Sequence, residues 1–546
     1  MKRLITLALL IMLWSAPAAA VEYHPGDVAV ISRILKINDS ANKLLTETGW
    51  DPGRPKTWTT LTPSPGIDRI LPPDELFTDP LRDPEVGPGL VWRDGRVVEL
   101  SLSLGEMTGV VDIGGLTELE VLKISHNREL SGVKGLGGLT KLTGLRLDGG
   151  QLADLGDLSA LKELRWLIVG HNRLTEIQGL GELKELRCLV ADHNQLAAAD
   201  GLGELKHLRW LDLSGNQLAA FPGLGGLTEL RRLDLGQNQL TALEDLGRLG
   251  ELRDLTLADN LLTGLTGLKE LTNLRYLFLG RNQLASLEPL DGLTRLKYLD
   301  VSGNQLTRLE GLEKLADLTL LYLDGNGRLD LGFLKKFNTD QLTNFGFSGD
   351  QFPDFSLSSK FAALEELVIS GETEPRSVDL AGRRLSALRL YTHLDPSIFH
   401  NSDAVRFVNL IGDRHYRPSE LRDLRRQLRV VNLIVSAPQT VTLGDVVSGL
   451  KAGRTYRLSE LSPALAADFG DGTDRARIYV FTQNERKIPP PTDPKFQPPG
   501  LAGVFPNGRV TFPAPGEYYL SLSIVPTRDD KVPPAVVHYL DVFTVK

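Results

Sequence analysis

Cysteine occurs once in 546 residues, at Cys188, so the chain can form no internal disulfide and no multi-thiolate metal centre. Basic residues do not outnumber acids. With Lys+Arg at 61, Asp+Glu at 69 and a net charge of −8, the balance argues against a general nucleic-acid binder. Long apolar runs are also missing. The longest, Leu4 to Trp14, is shorter than the roughly twenty residues that a bilayer crossing needs, so no membrane insertion is expected. Aromatic residues are only 6% of the chain, yet hydrophobic residues reach 41%, which excludes wholesale disorder. The length exceeds the ~250–300 residues that one hydrophobic core can serve, which leaves several domains or a core extended along one axis.

The first twenty residues, MKRLITLALLIMLWSAPAAA, place Lys2 and Arg3 before the apolar run and Ala18-Ala19-Ala20 after it. That is the pattern of a cleaved export signal. No cysteine follows the run to accept a lipid. An exported product, periplasmic or extracellular and at the cell surface, is expected. A bacterial origin suits a secreted chain of this length with no disulfide.

What the sequence has in abundance is a period. Asn172, Asn194, Asn216, Asn238, Asn260, Asn282, Asn304 and Asn326 stand 22 residues apart. Each sits in the frame seen in Leu208-Arg-Trp-Leu211-Asp-Leu213-Ser-Gly-Asn216-Gln-Leu218, which is LxxLxLxxNxL, the leucine-rich repeat signature. In the Leu-x-Leu stretch the side chains alternate, so Leu211 and Leu213 point inward while Trp210 and Asp212 point out. Neighbouring turns then pair these short strands into a parallel sheet. The Asn amide falls where the chain leaves the strand and can satisfy buried backbone groups, giving a structural asparagine ladder. Asn127 takes the same place in an earlier turn, and Gly150 replaces the Asn in the turn that begins at Leu142. Past Asn326, starts at Leu342, Leu364, Leu385, Val405 and Leu428 continue the frame without the Asn. About sixteen turns result, with an arc of about 70 Å. The last five leave open a separate α/β segment.

The 22-residue unit with xGLxxL, as in Gln178-Gly-Leu180-Gly-Glu-Leu183, resembles the bacterial internalin-type and phosphatase-regulatory-type class of leucine-rich repeats. The resemblance implies a right-handed curved α/β solenoid, a parallel-sheet array with its strands on the concave face. It also implies a protein-recognition role with no catalysis and no cofactor. Residues 97–335 carry the regular repeats and 336–435 the degenerate ones. Residues 21–96 read as an N-terminal cap, with Val28, Ile31, Ile34 and Leu35 at helical spacing. A loop containing Pro and Trp follows, then Trp92-Arg-Asp-Gly-Arg-Val-Val-Glu-Leu100, similar to the cap of many bacterial and plant repeat proteins. Residues 436–546 alternate at period two between Gly and Pro clusters and read as a β-sandwich. Gly516-Glu-Tyr-Tyr-Leu-Ser-Leu there is similar to bacterial immunoglobulin-like modules, and Phe469-Gly-Asp-Gly-Thr473 resembles a polycystic-kidney-disease-type turn. Lys487 to Gly500, rich in Pro, reads as an extended loop.

Chemistry has little support. Asp468-Phe469-Gly470 has no glycine-rich or H-R-D loop beside it, and Asp468, Asp471 and Asp474 lack EF-hand spacing. His126, His171 and His193 share one repeat position, the last two about 5 Å apart in adjacent turns, but two imidazoles do not make a ligand set, so no metal is assigned. Cys188 is expected as a partly exposed thiol on an outward strand position. Arg165, Arg187, Arg209, Arg231, Arg253, Arg275 and Lys297 form a basic column, with Glu163, Glu185, Glu229, Glu251, Asp212, Asp234, Asp254 and Asp300 placed to separate its charges. Trp166, Trp210, Tyr276, Phe278, Tyr298 and Tyr322 fall on outward strand positions, where inward slots already hold Leu or Val. With Arg232 they are the residue types of binding hot spots. These residues are the expected site for a protein or glycopeptide partner, with a self-associating structural envelope component as the rival reading.

Overall fold

The computed structural model describes residues 24–37, 89–102 and 107–329, and beyond these mainly the strands and short turns between 337 and 545. The expected leader (1–20), the loop of the N-terminal cap, the Phe469–Thr473 turn and the Lys487–Gly500 loop lie outside the described residues. Two compact units divide the chain at Leu274/Arg275.

The first unit starts with a helix, Pro25–Ile37, that buries Val30 and Ile34. Ile31 of the expected apolar set is half-buried, and the side chains of Val28 and Leu35 lie outside the described ones. Asp27, in its first turn, is fully buried. It accepts hydrogen bonds from the Val97 backbone N–H at 2.9 Å and from the Arg96 guanidinium at 3.0 and 3.2 Å. A carboxylate so far out of water persists only when paired in this way, and the pairing ties the helix to the strand Arg96–Ser101. That strand is the second arm of a hairpin with Gly89–Arg93. Asp94 and Gly95 at the bend both have positive φ, the conformation for which an Asp-Gly turn is suited.

From Arg96–Ser101 the strands pair in parallel, one per repeat. The series runs through Val121–Lys123, Gly144–Arg146, Trp166–Ile168, Cys188–Val190, Trp210–Asp212, Arg232–Asp234 and Asp254–Thr256. Register is strict. Leu167, Leu189, Leu211, Leu233 and Leu255 align across the sheet and are fully buried. Most turns return through a short 3-10 segment such as Leu180–Glu182 or Leu202–Glu204. The glycine of the xGL motif precedes it in the left-handed region, at φ 76 for Gly179 and 77 for Gly201.

The asparagines hold successive turns at one height. Asn216 is representative. Its Nδ2 donates to the carbonyls of Ala191 in the preceding turn (3.0 Å), Leu213 (3.0 Å) and Ser214 (3.3 Å), and its Oδ1 accepts from Leu196 N–H at 3.0 Å. Asn172, Asn194, Asn238, Asn260 and Asn304 repeat this arrangement, Asn326 donates to Val301 and Leu323 carbonyls and accepts from Leu306 N–H, and Asn282 donates to Leu279 and Gly280 carbonyls. Asn127 reaches back to Leu102 and accepts from Met107 N–H.

In the second unit the parallel strands are Tyr276–Phe278, Tyr298–Asp300, Leu320–Tyr322, Asn344–Ser348, Glu366–Ser370, Arg384–Leu390, Ala404–Ile411 and Asn432–Ser436. Where the repeats lose their Asn, the function of the amide passes to Gln351. Its Nε2 donates to Leu323 O at 2.7 Å and its Oε1 accepts from Ser348 N–H at 2.9 Å. The irregular turns also exchange Leu for Phe. Phe345, Phe347, Phe355 and Phe361 are buried with ring centroids 4.6–5.8 Å apart. Their outer segments form a second small parallel sheet from Asp354–Ser356, Ser377–Asp379 and Phe399–His400. The strands past residue 455 pair antiparallel throughout, five of them in one sheet around Ala476–Thr482 and Gly516–Ile524.

Removing one rung should be costly. Asn216→Ala leaves Leu196 N–H unmatched and takes one of two donors from each of the Ala191, Leu213 and Ser214 carbonyls, an expected loss of about 2–3 kcal/mol, read as a lower urea midpoint. Asn216→Asp keeps the acceptor but turns a carboxylate toward three carbonyl oxygens. It should unfold at least as early as the alanine variant, and a midpoint equal to the wild type would show that the ladder does not hold the turns together.

Candidate recognition face

On the outer face of the sheet the expected residues fall into two columns, one in each unit. In the first, Trp166, Cys188, Trp210 and Arg232 occupy one register position on consecutive strands. Gly144 precedes them in that register. It makes room for the Trp166 ring, which a Cβ at residue 144 would meet at 1.9 Å. Trp166 and Trp210 pack against Cys188, Ile168 and Val190. Cys188 is consequently 7% exposed. The expectation of a partly exposed thiol is therefore incorrect, because two large rings on the flanking strands close over a small side chain. The Arg232 guanidinium stands 4.6 Å above the Trp210 ring, in cation–π geometry. Trp210 Nε1 is buried with no hydrogen-bond partner among the described residues.

The second column is built from Tyr276, Phe278, Tyr298 and Tyr322. Tyr276 is in register with Tyr298, and Phe278 and Tyr322 with Asp300 on either side. Phe278 and Tyr298 have ring centroids 4.4 Å apart, and Tyr298 and Tyr322 5.7 Å apart. Tyr322 leans over Gly346, where a Cβ would meet its ring at 2.5 Å. All four rings are half-buried. They are therefore less exposed than their outward positions imply, because each covers its neighbour. Burial, with Asp300 nearby, pushes the Tyr298 hydroxyl far above the usual phenol range, and burial, with Glu366 nearby, pushes Tyr322 to about 12. Both remain neutral phenols at any working pH. Beyond Tyr322 the surface becomes polar, with Asn344 Nδ2 donating to Glu366 at 2.8 Å and Arg389 paired to the same carboxylate at 2.6 Å.

The acids expected to separate a basic column behave in two ways. Glu229 pairs with Arg209 at 3.4 Å and with His207 at 3.0 Å, and those bonds lower its pKa. Asp212 and Asp234 instead lie side by side across two strands. Burial raises both, Asp234 to about 6, and each is raised further by a like-charged neighbour, despite Arg232.

Sequence reasoning missed two kinds of residue. Gly144 and Gly346 shape the columns by leaving space, and a glycine beside an aromatic one strand away is the signal. Asp192 reaches both His171 and His193, at 3.2 and 3.0 Å. Its signal was its place beside one histidine and 21 residues after the other.

Family comparison agrees with this geometry. The family described as "Leucine Rich repeats (2 copies)" matches residues 206–248 and 294–336, and "Leucine rich repeat" matches 251–306. Residues 206–248, 251–306 and 294–336 thus match leucine-rich repeats, and each unit carries a parallel sheet with one strand per repeat. Among solved structures the chain is similar to an internalin (inlF) from Listeria monocytogenes, at 23% identity over 51% of this chain and 84% of that one, TM-score 0.45. It is also similar to the functional domain of InlJ from Listeria monocytogenes, at 19% identity over 79% and 92%, TM-score 0.45. A third is the receptor kinase ectodomain from Arabidopsis thaliana in complex with Casparian strip integrity factor 2, at 24% identity over 65% and 54%, TM-score 0.41. No curated protein sequence matches the chain. Among the described residues no helix is long and apolar enough to cross a membrane.

Two measurements check this face. Cys188 is the sole thiol, so its reaction with an aromatic disulfide reagent reads the tryptophan cover directly. Reaction in the native protein should be slow, Trp210→Ala should accelerate it by about tenfold or more, and equal rates would contradict the packing. Asp234 supplies the second. Its folded pKa of about 6 lies above its ordinary value of 3.8, so the folded state binds the extra proton between those limits. That stabilisation is fully present below about pH 4 and is lost as pH rises through 6. Asp234→Asn should therefore raise the unfolding free energy at pH 7 by about 1–2 kcal/mol after allowance for solvent screening, with the difference closing towards pH 4. A pH-independent difference would contradict the assignment.

Proposed function

We propose that this chain is an exported, non-enzymatic recognition scaffold that binds a protein or glycopeptide partner on the concave face of its solenoid. The reading rests on one observation: a column of mutually packed rings, Phe278, Tyr298 and Tyr322, on the outer side of the sheet. The sheet's inner side already supplies its core through leucines, so these rings are not needed to fill it. Tyr, Trp and Arg in such a patch are what binding hot spots are made of. Pre-packed rings also lose little conformational freedom on association. The first column adds Trp166, Trp210 and Arg232, and the unmatched indole N–H of Trp210 suits a partner that brings an acceptor.

In this reading residues 1–20 are an export signal that directs the protein to the periplasm or the extracellular surface. Residues 21–96 cap the solenoid through the helix that Asp27 ties to the first strand. About sixteen turns follow, regular over 97–335 and degenerate over 336–435. Residues 436–546 form a β-sandwich module that spaces the array or adds a second contact. The array needs no cofactor, and the net charge of −8 is unsuited to nucleic acid.

Affinity capture from envelope extracts tests the proposal, using the full chain and a Tyr276→Ala/Tyr298→Ala variant. Tyr298 is packed between two rings, so the variant should lose about 1–2 kcal/mol of stability while keeping a cooperative transition and its circular dichroism. A protein retained by the wild type and lost from the folded variant is the expected result. If both retain only further copies of this chain, with sedimentation that depends on concentration, the self-associating envelope component replaces the proposal.

A further inference from the structure

The residue before each ladder asparagine lies in the left-handed region, at φ 59 for His126, 53 for His171 and 48 for His193. Glycine is the usual occupant of such a conformation, and Gly149 and Gly215 fill the same slot in other turns at φ 73 and 66. Histidines there accept backbone strain, and their imidazoles stand out from the turn. His171 and His193 stack with ring centroids 4.4 Å apart and planes 13° apart. Asp192 Oδ2 lies 3.2 Å from His171 Nε2 and 3.0 Å from His193 Nδ1. It reaches this place by lying over Gly170, where a Cβ would meet its carboxylate at 2.0 Å.

We propose that His171, Asp192 and His193 bind a divalent late first-row transition ion, zinc being the representative. The three residues offer two imidazole nitrogens and one carboxylate oxygen within 4.8 Å of one another. Zinc–nitrogen and zinc–oxygen bonds of about 2.0–2.2 Å put tetrahedral donors about 3.3 Å apart, close to the two histidine–aspartate separations already present. The remaining adjustment falls to two rings that are 62% and 47% exposed and can rotate without disturbing the core. Neutral imidazole with a carboxylate is a donor set that suits zinc, nickel or copper, and three protein ligands leave a fourth position open to solvent or to a partner's side chain.

The repeat provides its own comparison. Asp148 occupies the corresponding carboxylate slot two turns earlier, with His126 Nε2 at 4.0 Å. There the cation is internal: Arg146 grips Asp148 at 2.7 and 3.2 Å, and the place equivalent to His193 is Gly149. Beside Asp192 the residue equivalent to Arg146 is Val190, which carries no charge. Asp212 and Asp234, whose raised pKa values include repulsion from Asp192, deepen the negative potential near the site.

Titration of the full chain, purified without a polyhistidine tag, with Zn2+ in a calorimeter and with Co2+ by visible absorption tests the site. One saturable site is expected, with ligand-field bands for Co2+. His171→Gly, His193→Gly and Asp192→Asn should each weaken binding by about tenfold or more, while His126→Gly should leave it within about twofold. Glycine is native to this slot in other turns, so the variants keep the fold, which metal-free thermal unfolding verifies. Absence of saturable binding, unchanged affinity in His193→Gly, or an equal loss in His126→Gly would each overturn the assignment.

Discussion

The whole array depends on one interaction, the buried amide of the turn asparagine. A strand three residues long, such as Trp210–Asp212, cannot satisfy the chain that follows it. The carbonyls of Leu213 and Ser214 point into a region without water, and an unmatched buried carbonyl is costly. Asn216 adds a donor to both, reaches back to Ala191 O in the preceding turn, and accepts from Leu196 N–H of that same turn. It thereby fixes the rise from turn to turn, which sets the leucine register and keeps Leu211, Leu233 and Leu255 in line. Gln351 makes the same point from the other direction. Where the Asn is lost, a longer amide restores the bond to the preceding turn.

This division of labour leaves the outer face of the sheet less constrained by folding than the inner one. Inward leucines provide the core and amides provide the spacing, so outward positions carry whatever function selects. Those positions hold ring stacks bounded by glycines in place of the charged residues that solubility alone would favour. Aromatics packed on one another also resist local rearrangement. The price is partial burial, and it shows in the raised hydroxyls of Tyr298 and Tyr322 and in the crowding of Asp212 against Asp234.

The period-22 asparagines and the Leu-x-Leu frame were legible from residues alone, because each obeys a local rule that repeats. So was the placement of Trp166, Trp210 and Tyr298 on outward positions, since strand alternation fixes the side. What alternation does not give is the lean of a long side chain toward the next strand. That lean buries Cys188 beneath two tryptophans and brings Phe278 onto Tyr298. Gln351 escaped for a related reason: its distance from Asn326 is not a multiple of the period. Asp192 escaped because it is ordinary in its own turn and becomes notable only beside histidines of two.

We propose that the outer aromatic columns are the contact surface. Hydroxyl-radical footprinting of the full chain, alone and with its captured partner, tests it most directly, because exposed rings oxidise readily and covered ones do not. Reduced oxidation of Trp166, Tyr276, Phe278 and Tyr322 in the complex is the expected result. Unchanged oxidation of those rings, with protection confined to residues beyond 436, would contradict it.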